Sequence, residues 1–399
     1  MADHVVRDDI HFIDGAFWGR NPQEELAWLR EHAPIYWDGS IWGIAKYDDV
    51  RRISKDTATF SSAGGIRPGS GPISMMIDMD DPEHWARRRL VNRGYTPPRV
   101  RDRENDMVRL CDEILDEVCE KGECDFVRDI AARLPLIVIA NDLGVEPEDR
   151  DQLLRWSEAL LDALVGEPGG EDATAEAFVG YTEFATRAIA DRRENPRNDV
   201  MSTLCHAEID GQKLDDASII SESLLILIGG DETTRHVISG GLFQLLSDGS
   251  SWAELSADRD KLGTAIEEML RWVSPIKNMA RIATRDVEYG GQRISEGEKL
   301  LLLYPSANMD ADEFPDPSRF DVNRDPNAHV AFGYGSHLCL GHSLARLELR
   351  TMFNALFDRL PDLALVDEAE PEYRAANFVS GYKTMPVRFT PTARVGVFA

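Results

Sequence analysis

The sequence predicts a mainly α-helical protein with a small β region, folded as one domain over residues 1–399. Three observations carry that expectation. Helical periodicity runs in near succession through 99–121, 132–143, 147–165 and 171–194. A further helix through 221–235 is apolar nearly all round before Gly229, as only a core helix can be. Strand-like patterns are confined to 35–44, 287–303 and a hairpin at 377–387. No linker, repeat or low-complexity tract divides the chain, and 43% hydrophobic residues suffice for a sizeable core.

Composition excludes several classes of function. A net charge of −27 opposes binding to nucleic acid or to an anionic membrane surface. The polar stretch Met1–Asp9 reads as neither signal peptide nor anchor, and the apolar run 224–228 is far too short to span a bilayer. No stable membrane insertion is expected, and the expected location is the cytoplasm. Five cysteines, Cys111, Cys119, Cys124, Cys205 and Cys339, form no Cys-x-x-Cys pair and are odd in number, which argues against a disulfide framework or structural zinc.

In chain order, residues 22–31 predict a first helix, and 35–37 with 41–44 a hairpin turned by Asp38-Gly39-Ser40. A short helix over 47–54 leads into a long loop at 61–72, rich in glycine and proline. The loop runs into Met75, Met76 and Ile77, an apolar cluster that suits either a large apolar ligand or packing on the core. Asp81-Pro82 marks a helix start. On that helix His84 and Arg88 share one face and suit a pair of carboxylates. Arg87, Arg88, Arg89, Arg93, Arg99, Arg101 and Arg103 make the same region a basic exception in an acidic chain, fit either to dock an acidic partner or simply to solubilise. The break at 166–170 is either a mobile gate or a plain helix connection.

Two glycines, Gly229 and Gly230, interrupt the buried helix at a cost of about 1 kcal/mol each relative to alanine. Glu232 and Thr233 follow at once. That arrangement implies room left over a bound group, with the Thr233 hydroxyl bonding back to the carbonyl four residues earlier and opening the helix ladder. Farther on, 332–341 places three glycines round Cys339, and an amphipathic helix over 343–360 follows. Glycine lets backbone lie against a flat ligand, and a helix N-terminus favours thiolate over thiol. A glycine-cleared loop presenting a thiolate is what a haem iron takes as an axial ligand.

The run Phe332-Gly333-Tyr334-Gly335-Ser336-His337-Leu338-Cys339-Leu340-Gly341 resembles the cysteine-loop signature of the cytochrome P450 superfamily at every fixed position. Gly229-Gly230-Asp231-Glu232-Thr233 resembles its oxygen-activation motif, Glu268 and Arg271 its Glu-x-x-Arg pair, and His84 and Arg88 its propionate-binding helix. The resemblance implies the P450 fold, a triangular helical prism enclosing haem b (iron protoporphyrin IX), with Cys339 as the metal ligand. It implies that Arg281 and His337 join His84 and Arg88 at the propionates, that Gly230, Phe332, Gly333 and Gly341 border the haem, and that Arg319 completes the structural set of Glu268 and Arg271. By the same resemblance Thr233 holds dioxygen and Glu232 relays protons to it.

Longer stretches, 61–68, 75–82, 225–236 and 377–381, look like those of actinobacterial cytochromes that hydroxylate the terminal side-chain methyl of cholesterol and cholest-4-en-3-one, and oxidise it on to the acid. The implied substrate channel is lined by Met75, Met76, Ile77, Ile226, Gly229, Ile276, Phe378 and Val379. Nothing in the chain resembles a flavin or iron–sulfur module, so electrons are expected from a ferredoxin and its reductase, docking near Arg87, Arg89 and Arg93. The rival expectations are oxidation of branched fatty acids or terpenoids, and a non-catalytic haem-thiolate sensor.

Overall fold

The computed structural model describes residues 6–165, 171–209, 211–367 and 369–396; the side chains of residues 93, 161–165, 171, 209 and 212 are outside the description. The proposed gate at 166–170 therefore lies outside the described residues, as do residues 1–5. The architecture is organised on one helix, Asp216–Ser247, whose 32 residues extend about 48 Å. Asp215 caps it, its carboxylate accepting the Ser218 amide at 2.8 Å. Helices Arg133–Leu143, Leu262–Val273 and His342–Arg359 pack on this central helix. Small residues set the approach: a Cβ on Gly240 would lie 2.7 Å from Val273, and one on Gly241 2.8 Å from Met269.

The β region is small, and it forms a second layer beside the helices. Its largest sheet has the order Ile35–Trp37, Trp42–Ile44, Lys299–Leu302, Met279–Ala283, Phe60–Ser61. Only the pairing of Trp42–Ile44 with Lys299–Leu302 is parallel. Leu300 stands opposite Arg281, which puts that arginine on an inner strand of the sheet.

Most predicted helices are present within a residue or two, and Glu171–Glu194 matches its predicted range. The helix predicted over 99–121 is instead two, Pro97–Arg101 and Glu104–Asp116. At the break Arg103 turns inward to pair with the buried Asp142 at 2.6 Å. The expected hairpin at 377–387 is also different. Its first half makes only single bridges, Val379 with Ile276 and Tyr382 with Tyr373, and the regular strand is Pro386–Arg388, paired with Glu123–Asp125 and Ala364–Leu365. Among the described residues no helix is long and apolar enough to cross a membrane.

Candidate active site

The loop that carries Cys339 is closed by its own backbone. Gly333 and Gly335 adopt φ of +71° and +78°, the left-handed region where a side chain is strained. The Cys339 amide then donates to the Phe332 carbonyl at 2.8 Å. A Cβ on Gly341 would meet nothing within 4 Å, because this glycine borders an internal cavity. Cys339 lines the same cavity. Burial pushes its thiol up, and the Gly341 amide, Arg88, Arg346 and the His342 amide pull the other way. The donors expected at the helix start are therefore in place, but burial outweighs them. Coordination to a metal ion deprotonates such a thiol outright.

Across the cavity stands the central helix, presenting Gly229, Gly230, Thr233 and Thr234. The two glycines do different work. A Cβ on Gly229 would meet nothing, so this residue leaves open space. A Cβ on Gly230 would lie 2.4 Å from Ile139, so this one lets helix Arg133–Leu143 come close. Thr233 Oγ1 donates to the Gly229 carbonyl at 3.0 Å, the predicted back-bond. The helix nevertheless stays α-helical through this point rather than opening.

A group of basic side chains closes one edge of the cavity. His84, Arg88, Arg281 and His337 all line it. His84 Nδ1 donates to the Asp81 carboxylate at 3.0 Å, and the ring stacks on His337 with ring centres 4.0 Å apart. Burial pushes His337 down to about 2, helped by Arg281, His84 and Arg88. Arg88 donates to the Leu338 carbonyl. Arg281 is 2% exposed, donates only to the Ala280 carbonyl, and leaves its Nε unpaired. Among the described residues neither Arg88 nor Arg281 makes an ion pair. A buried guanidinium without an anion is costly. Two arginines so placed, beside a thiol and glycine-cleared walls, fit an iron porphyrin whose two propionates complete them.

Behind the cysteine loop lies a buried polar set. Glu268 and Arg271, both fully buried, form a two-pronged pair at 2.8 Å on each arm. The third member is Arg324, whose Nε reaches both Glu268 oxygens at 3.1 and 3.2 Å. The expectation for Arg319 is corrected here. Its side chain is exposed, and it contributes only its carbonyl, to Arg271 and Arg324. Glu267, which sequence reasoning missed, pairs with Arg346 at 2.6 and 2.7 Å, and Arg346 lies over the Phe332 ring. Its position next to Glu268 was the available signal.

Other expectations divide. Met76, Ile77, Ile226, Gly229 and Ile276 line the cavity, whereas Met75, Phe378 and Val379 do not. Phe378 and Val379 pack with Ile66, Ala376 and Ile276, and Val379 bridges Ile276. Met75 is buried in the main core. Leu225 and Met279, unremarked in the sequence, complete the apolar wall with Ile66. Glu232 is fully buried and off the cavity wall, held by Arg235, by His236 at 3.4 Å and by Arg374 at 3.7 Å. Arg87 is not a free surface cation: it turns inward to Glu222 at 3.2 Å. Arg89 is exposed, and the Arg93 side chain lies outside the described residues.

The cytochrome P450 family pattern matches residues 257–361. The chain is 48% identical over 393 residues to a steroid C26-monooxygenase of Mycobacterium tuberculosis, covering 97% of this chain and 99% of that one. It is 47% identical over 399 residues to a steroid C26-monooxygenase of Mycolicibacterium smegmatis, covering 99% and 100%. Among solved structures, Mycobacterium marinum cytochrome P450 CYP268A2 in complex with pseudoionone superposes with a TM-score of 0.90 at 32% identity, covering 97% of this chain and 100% of that one. CYP109E1 from Bacillus megaterium in complex with testosterone gives 0.85 at 32% identity, covering 93% and 98%.

Proposed function

Because the chain belongs to the cytochrome P450 family, we propose that it is a monooxygenase that hydroxylates the terminal methyl of a sterol side chain, cholesterol or cholest-4-en-3-one, and carries it on to the acid. The observation that carries this reading is a cavity with Cys339 and Thr233 on its walls and an apolar extension of Ile66, Met76, Ile77, Leu225, Ile226, Ile276 and Met279. The basic side chains of the cavity are grouped at the propionate edge, and the apolar extension carries none. Such a wall suits a neutral, rigid hydrocarbon and offers a fatty-acid carboxylate no partner.

When bound, the haem supplies the reductive activation of dioxygen and the oxidation of the C–H bond. The chain's own residues do the rest. Cys339 is the thiolate ligand, and His84, Arg88, Arg281 and His337 hold the propionates. Thr233 Oγ1, whose proton is turned to Gly229, keeps acceptor capacity toward the cavity. Glu232 stores charge one residue away, and Arg235 links it at 3.6 Å to Glu158, which is half exposed. Glu232, next to Thr233 in the chain, is the carboxylate assigned to proton delivery; Arg235, which keeps its own proton, fixes that carboxylate in place rather than passing protons to it. Electrons come from a separate ferredoxin and its reductase, and of the three arginines expected at the docking surface Arg89 supports that role.

Titration of the ferric protein with cholest-4-en-3-one should move the Soret band toward the high-spin position, and turnover should give the side-chain alcohol and acid. No shift with the sterol, together with a shift on adding branched fatty acids, would overturn the substrate assignment. Thr233→Ala should consume electrons without matching product, and unchanged coupling would remove Thr233 from proton delivery.

A further inference from the structure

The two long walls of the substrate cavity belong to different elements, the loop through Met76 and Ile77 and the central helix through Leu225, Ile226 and Gly229. The loop's first half is well tied. The Ile66 carbonyl accepts the Ala280 amide at 2.7 Å, and Lys299 Nζ reaches the Arg67 and Ser70 carbonyls at 3.0 Å each. Asp78 then gathers the loop on itself, accepting the Ile66 and Ile73 amides at 2.9 and 2.7 Å and pairing with Arg67. The single-turn helix Met76–Asp78 that meets the ligand has only local backbone bonds. Among the described residues, one hydrogen bond joins residues 73–79 to the central helix: the Met76 amide donates to Glu222 Oε1 at 2.9 Å.

Glu222 is 1% exposed, between Ser221 and Ser223 and just before the apolar run 224–228 of the central helix. It lies one turn before Leu225 and Ile226 and two before Gly229, hence on the cavity-facing side. Arg87 meets the same oxygen at 3.2 Å, from a helix, Glu83–Val91, whose His84 and Arg88 line the cavity. Oε2 has no partner. Burial pushes the carboxyl up to about 7, against Arg87 and the Met76 amide. An apolar residue would satisfy packing here at less cost than a buried acid. What the acid offers and an apolar residue cannot is an acceptor, for Arg87 and for an amide that would otherwise be buried unpaired.

We propose that Glu222 is a positioning residue for substrate: through the Met76 amide it latches the loop wall of the cavity to the central-helix wall and so sets the width of the pocket. The latch acts through its acceptor oxygen rather than its charge. It rests on the reading of the cavity as the substrate pocket, and the test separates the two.

Wild type, Glu222→Gln and Glu222→Leu are titrated in the ferric haem form with cholest-4-en-3-one, read by the high-spin shift, and with clotrimazole, a bulky apolar azole read by the opposite Soret shift. Glu222→Leu should weaken binding of both by roughly ten-fold, the effect of leaving one buried amide unpaired. Its ferrous–CO thiolate spectrum should be unchanged, while its Tm should fall, since Arg87 and the Met76 amide both lose their buried acceptor. Glu222→Gln keeps an acceptor and should stay within about two-fold of wild type. Wild-type binding of clotrimazole by Glu222→Leu overturns the latch, and so does an equal loss of binding in both variants, since Glu222→Gln keeps the acceptor. If wild type gives no sterol shift, the sterol assignment fails and the clotrimazole arm still decides the latch.

Discussion

Behind Cys339, Glu268 accepts from Arg271 and Arg324 side chains, the Asp321 amide and Asn327 Nδ2, every bond between 2.8 and 3.2 Å. Across the cavity, the wall of Met76 and Ile77 reaches the central helix through one amide. The first region is over-determined, and losing any one bond leaves the others to hold the geometry. The second is apolar and, among the described residues, tied to the central helix by that single bond, so modest changes can reshape it. Chemistry that must place a sulfur accurately sits on the rigid side, and choice of substrate sits on the adjustable one.

The largest effect that would break this contrast is on the rigid side. Glu268→Ala strands two buried guanidinium groups, and removing one partner of a buried pair costs roughly 3–5 kcal/mol. Against a total stability of about 5–15 kcal/mol, the expected outcome is little folded holoprotein, checked by circular dichroism and the ferrous–CO spectrum. Near-normal folding would mean the set is redundant rather than essential.

Arg281→Leu should act in two directions. It removes a buried cation that has no anion in the protein alone, so the haem-free protein should melt higher. It also removes a propionate partner, so haem transfer to apomyoglobin should quicken by roughly ten-fold, the loss of one charge-assisted bond. Both changes in the same direction would remove Arg281 from the propionates.

The paired glycines sharpen the comparison within one helix. Gly229→Ala adds a methyl to open cavity and should raise Tm modestly, by the helix preference of alanine of about 1 kcal/mol, while weakening sterol binding. Gly230→Ala drives a methyl against Ile139 and should lower Tm, by overpacking of about 1–3 kcal/mol. Thermal melts and the spin-shift titration together distinguish them.

The smallest expected effect concerns Asp231, fully buried with neither carboxylate oxygen paired. Burial, and then Glu232, push its pKa up to about 7. The folded state then holds a proton that the unfolded state releases, so stability falls as pH rises from the usual carboxylate range to about 7. Asp231→Asn removes that penalty and should raise Tm by roughly 2–4 °C at pH 8, with little gain at pH 5. An equal gain at both pH values would mean that the carboxyl is not protonated on folding.

The parts legible from the chain alone were those in which residue type and spacing state the chemistry. Cys339 among its glycines, Gly229 before Thr233, and Glu268 three residues from Arg271 are local patterns, since a positive φ or one helical turn dictates them. Long-range pairings were not legible. Arg319 and Arg324 lie five residues apart on irregular backbone, and only the path of that loop turns the second inward and the first to solvent. Arg87 reads as one more surface charge until Glu222, 135 residues away, is seen opposite it.

Phe378 and Val379 were expected at the cavity and instead pack with Ile66, Ala376 and Ile276, because an apolar residue near a pocket packs equally well on either side of its wall. Ligand type, helical character and the identity of the thiolate thus follow from sequence, through local backbone geometry and side-chain chemistry. Which carboxylate meets which guanidinium, and which apolar side chain faces the ligand, follow from tertiary packing, where burial makes an unmade bond expensive and so selects a single set of partners.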